Sequence, residues 1–128
     1  IVQLLMEDTS IRQCTSLWDQ LGNALIGIGR GDTVDTKDPH FLAALDAVGR
    51  SRVAAAVCGW FVDGEGNAIK GRNTTSVNVD QLKKARSVIA IAGGKSKARA
   101  ILAVLRGKFV THLVTDEDVA REILFMQS

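Results

Sequence analysis

Along most of the chain, apolar residues alternate between helical spacing and unbroken strand-like runs. After a short apolar start, Ile1 to Leu5, the triplet Asp8-Thr9-Ser10 supplies N-cap residues. Ile11, Cys14, Leu17, Trp18 and Leu21 follow at spacings of three and four. That spacing predicts an amphipathic helix, with Gly22 suited to its C-cap. Ala24-Leu25-Ile26-Gly27-Ile28-Gly29 lacks polar alternation, as expected of a parallel strand buried on both faces. Gly29 to Asp38 reads as a loop. Asp38-Pro39 opens a helix that turns Phe41, Leu42, Leu45 and Val48 inward and ends at Gly49. Val53 to Val62 predicts a strand bent at Gly59. Asp63-Gly64-Glu65-Gly66-Asn67 is a strong turn signal, and Ala68-Ile69 begins a return strand.

The second half repeats the alternation more clearly. Gly71 to Val77, with Arg72 and Asn73, is polar and irregular. Asn78-x-x-Gln81 has the form of a capping box, and Leu82 with Ala85 supports a short helix. Ser87 to Ala92 is the clearest buried strand and runs into Gly93-Gly94-Lys95-Ser96-Lys97. A helix from Ser96 to Arg106 turns Ala98, Ile101, Leu102 and Leu105 inward and stops at Gly107. Phe109 to Val114 predicts a last strand. Thr115 caps a final helix whose acidic first turn opposes the positive end of its dipole. Strands separated by helices imply crossover connections and a mostly parallel, Rossmann-like α/β sheet with helices on both faces.

Composition narrows the function classes. The chain has 128 residues, fits one domain, and is 46% hydrophobic and 23% charged. Sixteen basic and 14 acidic residues leave a net charge of +2, without the strong basic face of a nucleic-acid-binding domain. Cys14 and Cys58 are far apart, and His40 and His112 are isolated, so no metal-ligand spacing exists. Free thiols suit a reducing compartment. The longest apolar run, Val53 to Val62, is far shorter than a bilayer requires. The first residue is Ile1, as expected of a fragment or a processed chain.

The main candidate for chemistry is Gly93-Gly94-Lys95-Ser96-Lys97. A strand, two glycines and a helix start place free backbone N–H groups beyond a strand's carboxyl end, where α/β sheets bind ligands and phosphate is attracted. Lys95 and Lys97 add positive charge; the competing reading is a plain turn with surface lysines. The spacing is not that of a P-loop. Gly27-Ile28-Gly29-Arg30-Gly31 also follows a strand and offers a second pocket wall, with Gly29 open to close approach. Asp63 is a third candidate, although Asp and Gly are ordinary hairpin residues. Thr115-Asp116 ends a strand and is explained by capping. Cys58 reads as a small core residue and His112 as a packed one. Trp18 and Trp60 read as packing residues. No catalytic set stands out, and no cofactor is implied.

Several tracts occur together in one order: Ala24 to Gly29; Cys58-Gly59-Trp60-Phe61-Val62-Asp63-x-x-Gly66; Val88 to Gly94 with Lys97-Ala98; Leu105-Arg106-Gly107; and Leu113-Val114-Thr115-Asp116-Glu117. In this order they resemble the C-terminal half of the effector domain of SorC-family transcription regulators. The resemblance implies a fold akin to phosphosugar isomerases. It implies a sugar or sugar-phosphate effector, homo-oligomerisation and a cytoplasmic location. Operator DNA would be bound only through an N-terminal helix-turn-helix domain that this chain lacks. The lysine matched by Lys97 is an effector contact in the family, and Gly93 and Gly94 come with it as its loop. Two departures accompany the resemblance. The family's glycine- and threonine-rich phosphate loop is absent, and a position that is often acidic is Ala56. The expected function is a ligand-sensing domain rather than an enzyme; the alternative is a phosphosugar-isomerase-like enzyme.

Overall fold

The computed structural model describes residues 1–33, 39, 45, 47–71 and 74–128. Two sheets organise it. Strands β1 (Asn23–Ile26), β6 (Ser87–Ile91) and β7 (His112–Val114) form a parallel sheet in the order β1-β6-β7. Strands β2 (Gly29–Arg30), β3 (Val53–Val57), β4 (Trp60–Asp63) and β5 (Ala68–Gly71) form an antiparallel sheet in chain order. The α/β class and the parallel pairing follow the sequence expectation. The additional feature is that the hairpin strands make a sheet of their own.

The apolar run 53–62 is two strands rather than one bent strand. Cys58 and Gly59 both have positive φ, 50° and 81°, and reverse the chain between β3 and β4. Hydrophobicity alone could not reveal the reversal, because both strands are largely buried. The segment expected to be a loop begins with β2, which pairs Gly29 with Ala56 and Arg30 with Ala55. Most of the helix expected from Asp38 lies outside the described residues. Within them Leu45 is buried, and helix α3 (Ala47–Arg52) runs through Gly49 rather than ending there. Arg72 and Asn73 also lie outside the described residues.

Upstream, Val2–Leu5 forms a short helix, α1. Helix α2 (Thr9–Ser16) continues as a 3-10 turn over Leu17–Gln20, and the Asp8 carboxylate caps it by accepting from the amides of Ser10 and Ile11. Helix α4 (Val79–Lys84) has the expected reciprocal capping box between Asn78 and Gln81. The two indoles hold the chain before α4: Trp18 donates to the Thr75 carbonyl at 2.9 Å and Trp60 to the Val77 carbonyl at 3.3 Å. Each ring is half-buried, with its polar edge satisfied.

Helix α5 (Ala98–Arg106) is the central packing element, with Ala98, Ala100, Ile101, Leu102, Ala103 and Val104 buried. It packs against β3, and the main core joins it to Val88 and Ala90 of β6 and to Val57 and Val62 of the antiparallel sheet. Full burial of one of the valine, leucine or isoleucine side chains contributes roughly 1.5–3 kcal/mol. Gly107 ends α5, as expected, but the left-handed residue is Lys108, at φ 57°. Gly107 is needed for closeness: a Cβ there would meet the Phe109 ring at 2.1 Å and the Gly66 carbonyl oxygen at 2.4 Å.

Strand β7 is shorter than the run from Phe109 suggested. Thr111 precedes it and ties it to β6, its hydroxyl accepting from the Val88 amide at 2.8 Å. The hydroxyl also lies 2.8 Å from Nδ1 of the exposed His112. Helix α6 (Glu117–Gln127) buries Val119 and Ile123. Its N-cap is Asp116, not Thr115, because the Asp116 carboxylate reaches the Val119 amide at 2.9 Å. Thr115 Oγ1 is buried without a hydrogen-bond partner among the described residues.

Register gives the parallel sheet two unlike faces. Ala24, Ile26, Val88, Ala90 and Leu113 point into the main core. Leu25, Ile91 and Val114 point the other way and are 69%, 54% and 54% exposed.

Candidate functional site

The loop after β6 is built by its glycines. Gly94 has φ 93°, which an L side chain rarely adopts, and its carbonyl accepts from the Lys97 amide at 2.8 Å. The turn becomes a 3-10 segment, Lys95–Lys97, that leads straight into α5. Leading amides of a helical run lack intrahelical acceptors, and the dipole makes that end positive. Gly93, Gly94, Lys95 and Ser96 are exposed, whereas Lys97 is half-buried.

Lys97 does not point into open solvent. Its Nζ donates to the carbonyl oxygen of Ile28 at 3.0 Å, just beyond the end of β1. Gly29, next in the chain, pairs with Ala56, and a Cβ on Gly29 would lie 3.4 Å from the Ala56 carbonyl oxygen. The fold therefore joins the β6–α5 loop, the β1–β2 connection and the middle of β3. Beside them, Arg30, Val53, Ser96 and Arg99 line a hollow of about 110 Å³. Its size is below the roughly 300 Å³ of a small-ligand pocket. Arg30 is bound to Asp32, which raises the guanidinium pKa and lowers that of the carboxyl.

The amide expected to face an anion is already engaged. Gly94 N–H donates to Asp116 Oδ2 at 2.6 Å. The same carboxylate caps α6, so it bridges the glycine loop and the last helix. The hydrogen bond from Gly94, then that from Val119, holds its carboxyl below the usual aspartate range. A Cβ on Gly93 would approach Asp116 Oδ2 to 2.8 Å. From the sequence, capping explains Asp116, which is otherwise a carboxylate candidate only for the isomerase-like alternative. Its second bond joins residues 22 positions apart and has no local signature.

Asp63 is placed elsewhere. It is 2% exposed, and its Oδ1 accepts from the amides of Glu65 and Asn67, each at 2.9 Å. Its Oδ2 pairs with Arg52 at 2.8 Å. Burial raises its pKa, but the bonds from Asn67, Glu65 and Arg52 outweigh this and the net shift is downward. The turn touches the far end of α5: Arg106 donates to the Gly64 carbonyl at 2.8 Å, and a Cβ on Gly66 would lie 2.3 Å from the Gly107 nitrogen. That end is about 13 Å along the helix from Lys97. Asp63 is thus committed to its turn and apart from Lys97, Gly93, Gly94 and Gly29.

Burial raises the Cys58 thiol pKa, which keeps it protonated near neutrality and agrees with the core reading. No group of three or more His, Cys, Asp or Glu suited to a metal occurs among the described residues. Among them, no helix is long and apolar enough to cross a membrane. A separate hollow of about 540 Å³ is lined by Arg12, Trp18, Trp60 and Thr74, among others, and is not lined by Lys97, Gly93, Gly94, Gly29 or Asp63.

Comparison with known proteins adds a family. A family model described as "Putative sugar-binding domain" matches residues 1–125. The Central glycolytic genes regulator of Priestia megaterium is 29% identical over 94% of this chain and 35% of its own length. The Sorbitol operon regulator of Klebsiella pneumoniae is 30% identical over 94% of this chain and 40% of its own length. The crystal structure of the full-length Sorbitol Operon Regulator SorC from Klebsiella pneumoniae superposes with a TM-score of 0.77 at 28% identity. The match covers 95% of this chain and 42% of that one. The chain therefore spans well under half the length of these relatives.

Proposed function

The chain belongs to the sugar-binding domain family of SorC-type regulators, and from that premise we propose that it is the C-terminal part of the effector-sensing domain of a DNA-binding transcription regulator. The effector is a sugar or a phosphorylated sugar. It binds at the loop 93–97, with Lys97 as its charged contact, Gly93 and Gly94 giving close backbone approach, and Gly29 on the facing wall. The observation that carries this reading is the Lys97–Ile28 bond, which holds the ammonium at the junction of two strand tips.

The remaining wall of the pocket and the helix-turn-helix come from the further polypeptide of the whole regulator, which works as a cytoplasmic homo-oligomer. Effector binding must differ in affinity between two states of that assembly to change operator binding. An isomerase would need a positioned acid and base. Its two carboxylate candidates are engaged: Asp63 by its own turn, and Asp116 by the Gly94 and Val119 amides.

Thermal-shift titration of the full-length regulator with neutral hexitols and sugar phosphates tests the reading. One or more should raise the midpoint and alter operator affinity, and Lys97→Met should remove both effects. A panel in which no compound shifts the fold, or in which the Lys97 variant responds like the parent, would overturn it.

A further inference from the structure

We infer that Asp116 is a specificity-determining residue of the loop 93–97: it keeps anionic groups off the Gly94 amide and receives a ligand hydroxyl there instead. The inference rests on the loop being the effector site. A glycine turn that leads into a helix is ordinarily an anion-binding arrangement. Here its Gly94 N–H already has a full negative charge 2.6 Å away. A phosphate placed on that amide would have to displace the carboxylate or face it at contact distance, and two anions in contact repel.

Two features keep the carboxylate in place. It is held on both oxygens, by Gly94 on Oδ2 and by Val119 on Oδ1. Gly93 leaves it room, because any side chain at that position would run into Oδ2. Asp116 is nevertheless exposed, so its oxygens keep accepting capacity toward solvent. An ionised carboxylate only accepts hydrogen bonds, so its complement is a donor such as a hydroxyl. Lys97 follows three residues after Gly94 and only donates. Asp116, after β7, and Lys97, whose ammonium reaches the end of β1, thus present an acceptor and a cationic donor on either side of β6, where separate groups of one sugar can meet them. Any phosphate of the effector is directed away from Gly94.

Asp116→Asn separates charge from structure, since Asn is as good an N-cap as Asp and keeps an acceptor for Val119. Asp116→Ser is the second variant: it keeps a capping oxygen but is too short to serve both amides. Far-UV circular dichroism checks that α6 survives in each. Amide NMR of the full-length regulator then follows Gly94 during titration with inorganic phosphate, and separately with a neutral hexitol. Both variants should bind phosphate at Gly94 roughly tenfold more tightly than the parent and the hexitol roughly tenfold more weakly. Equal phosphate affinity in parent and variants, or unchanged hexitol binding, would overturn the inference. The phosphate arm does not depend on the effector's identity. Sugars that bind while residues 93–97 stay unperturbed would instead overturn the placement of the effector site, whatever the phosphate arm shows.

Discussion

The ammonium of Lys97 and the carbonyl oxygen of Ile28, 69 residues apart, lie 3.0 Å from each other and join the start of α5 to the end of β1. The bond fixes the cation at the end of β1, where the lysine would otherwise sweep through solvent. Replacing it with Met keeps the stem and removes the charge. Lys97→Met should weaken sugar-phosphate binding by tenfold or more, while stability falls by only about 1 kcal/mol, as for one hydrogen bond. Calorimetric titration beside thermal denaturation separates the two effects; a fall in stability without a loss of binding would point to a purely structural lysine.

Asp63 makes the opposite prediction. Its carboxylate is buried and accepts from the backbone amides of Glu65 and Asn67, the Asn67 side chain and the Arg52 guanidinium, so truncation strands several donors. Asp63→Ala should cost about 3 kcal/mol. Its folded pKa is lowered, so its contribution is complete above the unfolded aspartate value and is lost as pH falls through the folded one. Urea denaturation of parent and Asp63→Asn between neutral pH and the acid range should show the two stabilities converging as pH falls.

Thr115 offers a stabilising change. Its hydroxyl oxygen is buried and has no partner among the described residues, while Asp116 supplies the cap that Thr115 was expected to make. Thr115→Val is nearly isosteric and removes the stranded polar atom. It should be neutral or stabilising by up to about 1 kcal/mol, measured as a change in the denaturation midpoint. A clear loss of stability would mean that the hydroxyl has a partner.

The exposed row Leu25, Ile91 and Val114 concerns assembly. These side chains contribute little to the chain's own core. Leu25→Ser with Ile91→Ser should therefore change stability by less than about 1 kcal/mol, and should reduce binding of a hydrophobic dye and any self-association of the 128-residue chain. Light scattering over a concentration series reads the second effect.

Much of this protein was legible in residue order alone. The capping box at Asn78 and Gln81, the buried strand from Ser87, helix α5 with its stop at Gly107, and the crossover logic of β1, β6 and β7 follow from local pattern. Periodicity, caps and glycine act over a few residues, and that is the range on which a sequence can be read. Tertiary structure alone decided the rest. It folded the apolar run 53–62 into a hairpin at Cys58–Gly59, because burial on both strands hid the turn. It sent Asp63 to the far end of α5 from Lys97, set Lys97 on Ile28, and gave Asp116 a second partner in Gly94. Each of these depends on which distant segments the core brings together, and no single stretch of sequence specifies that.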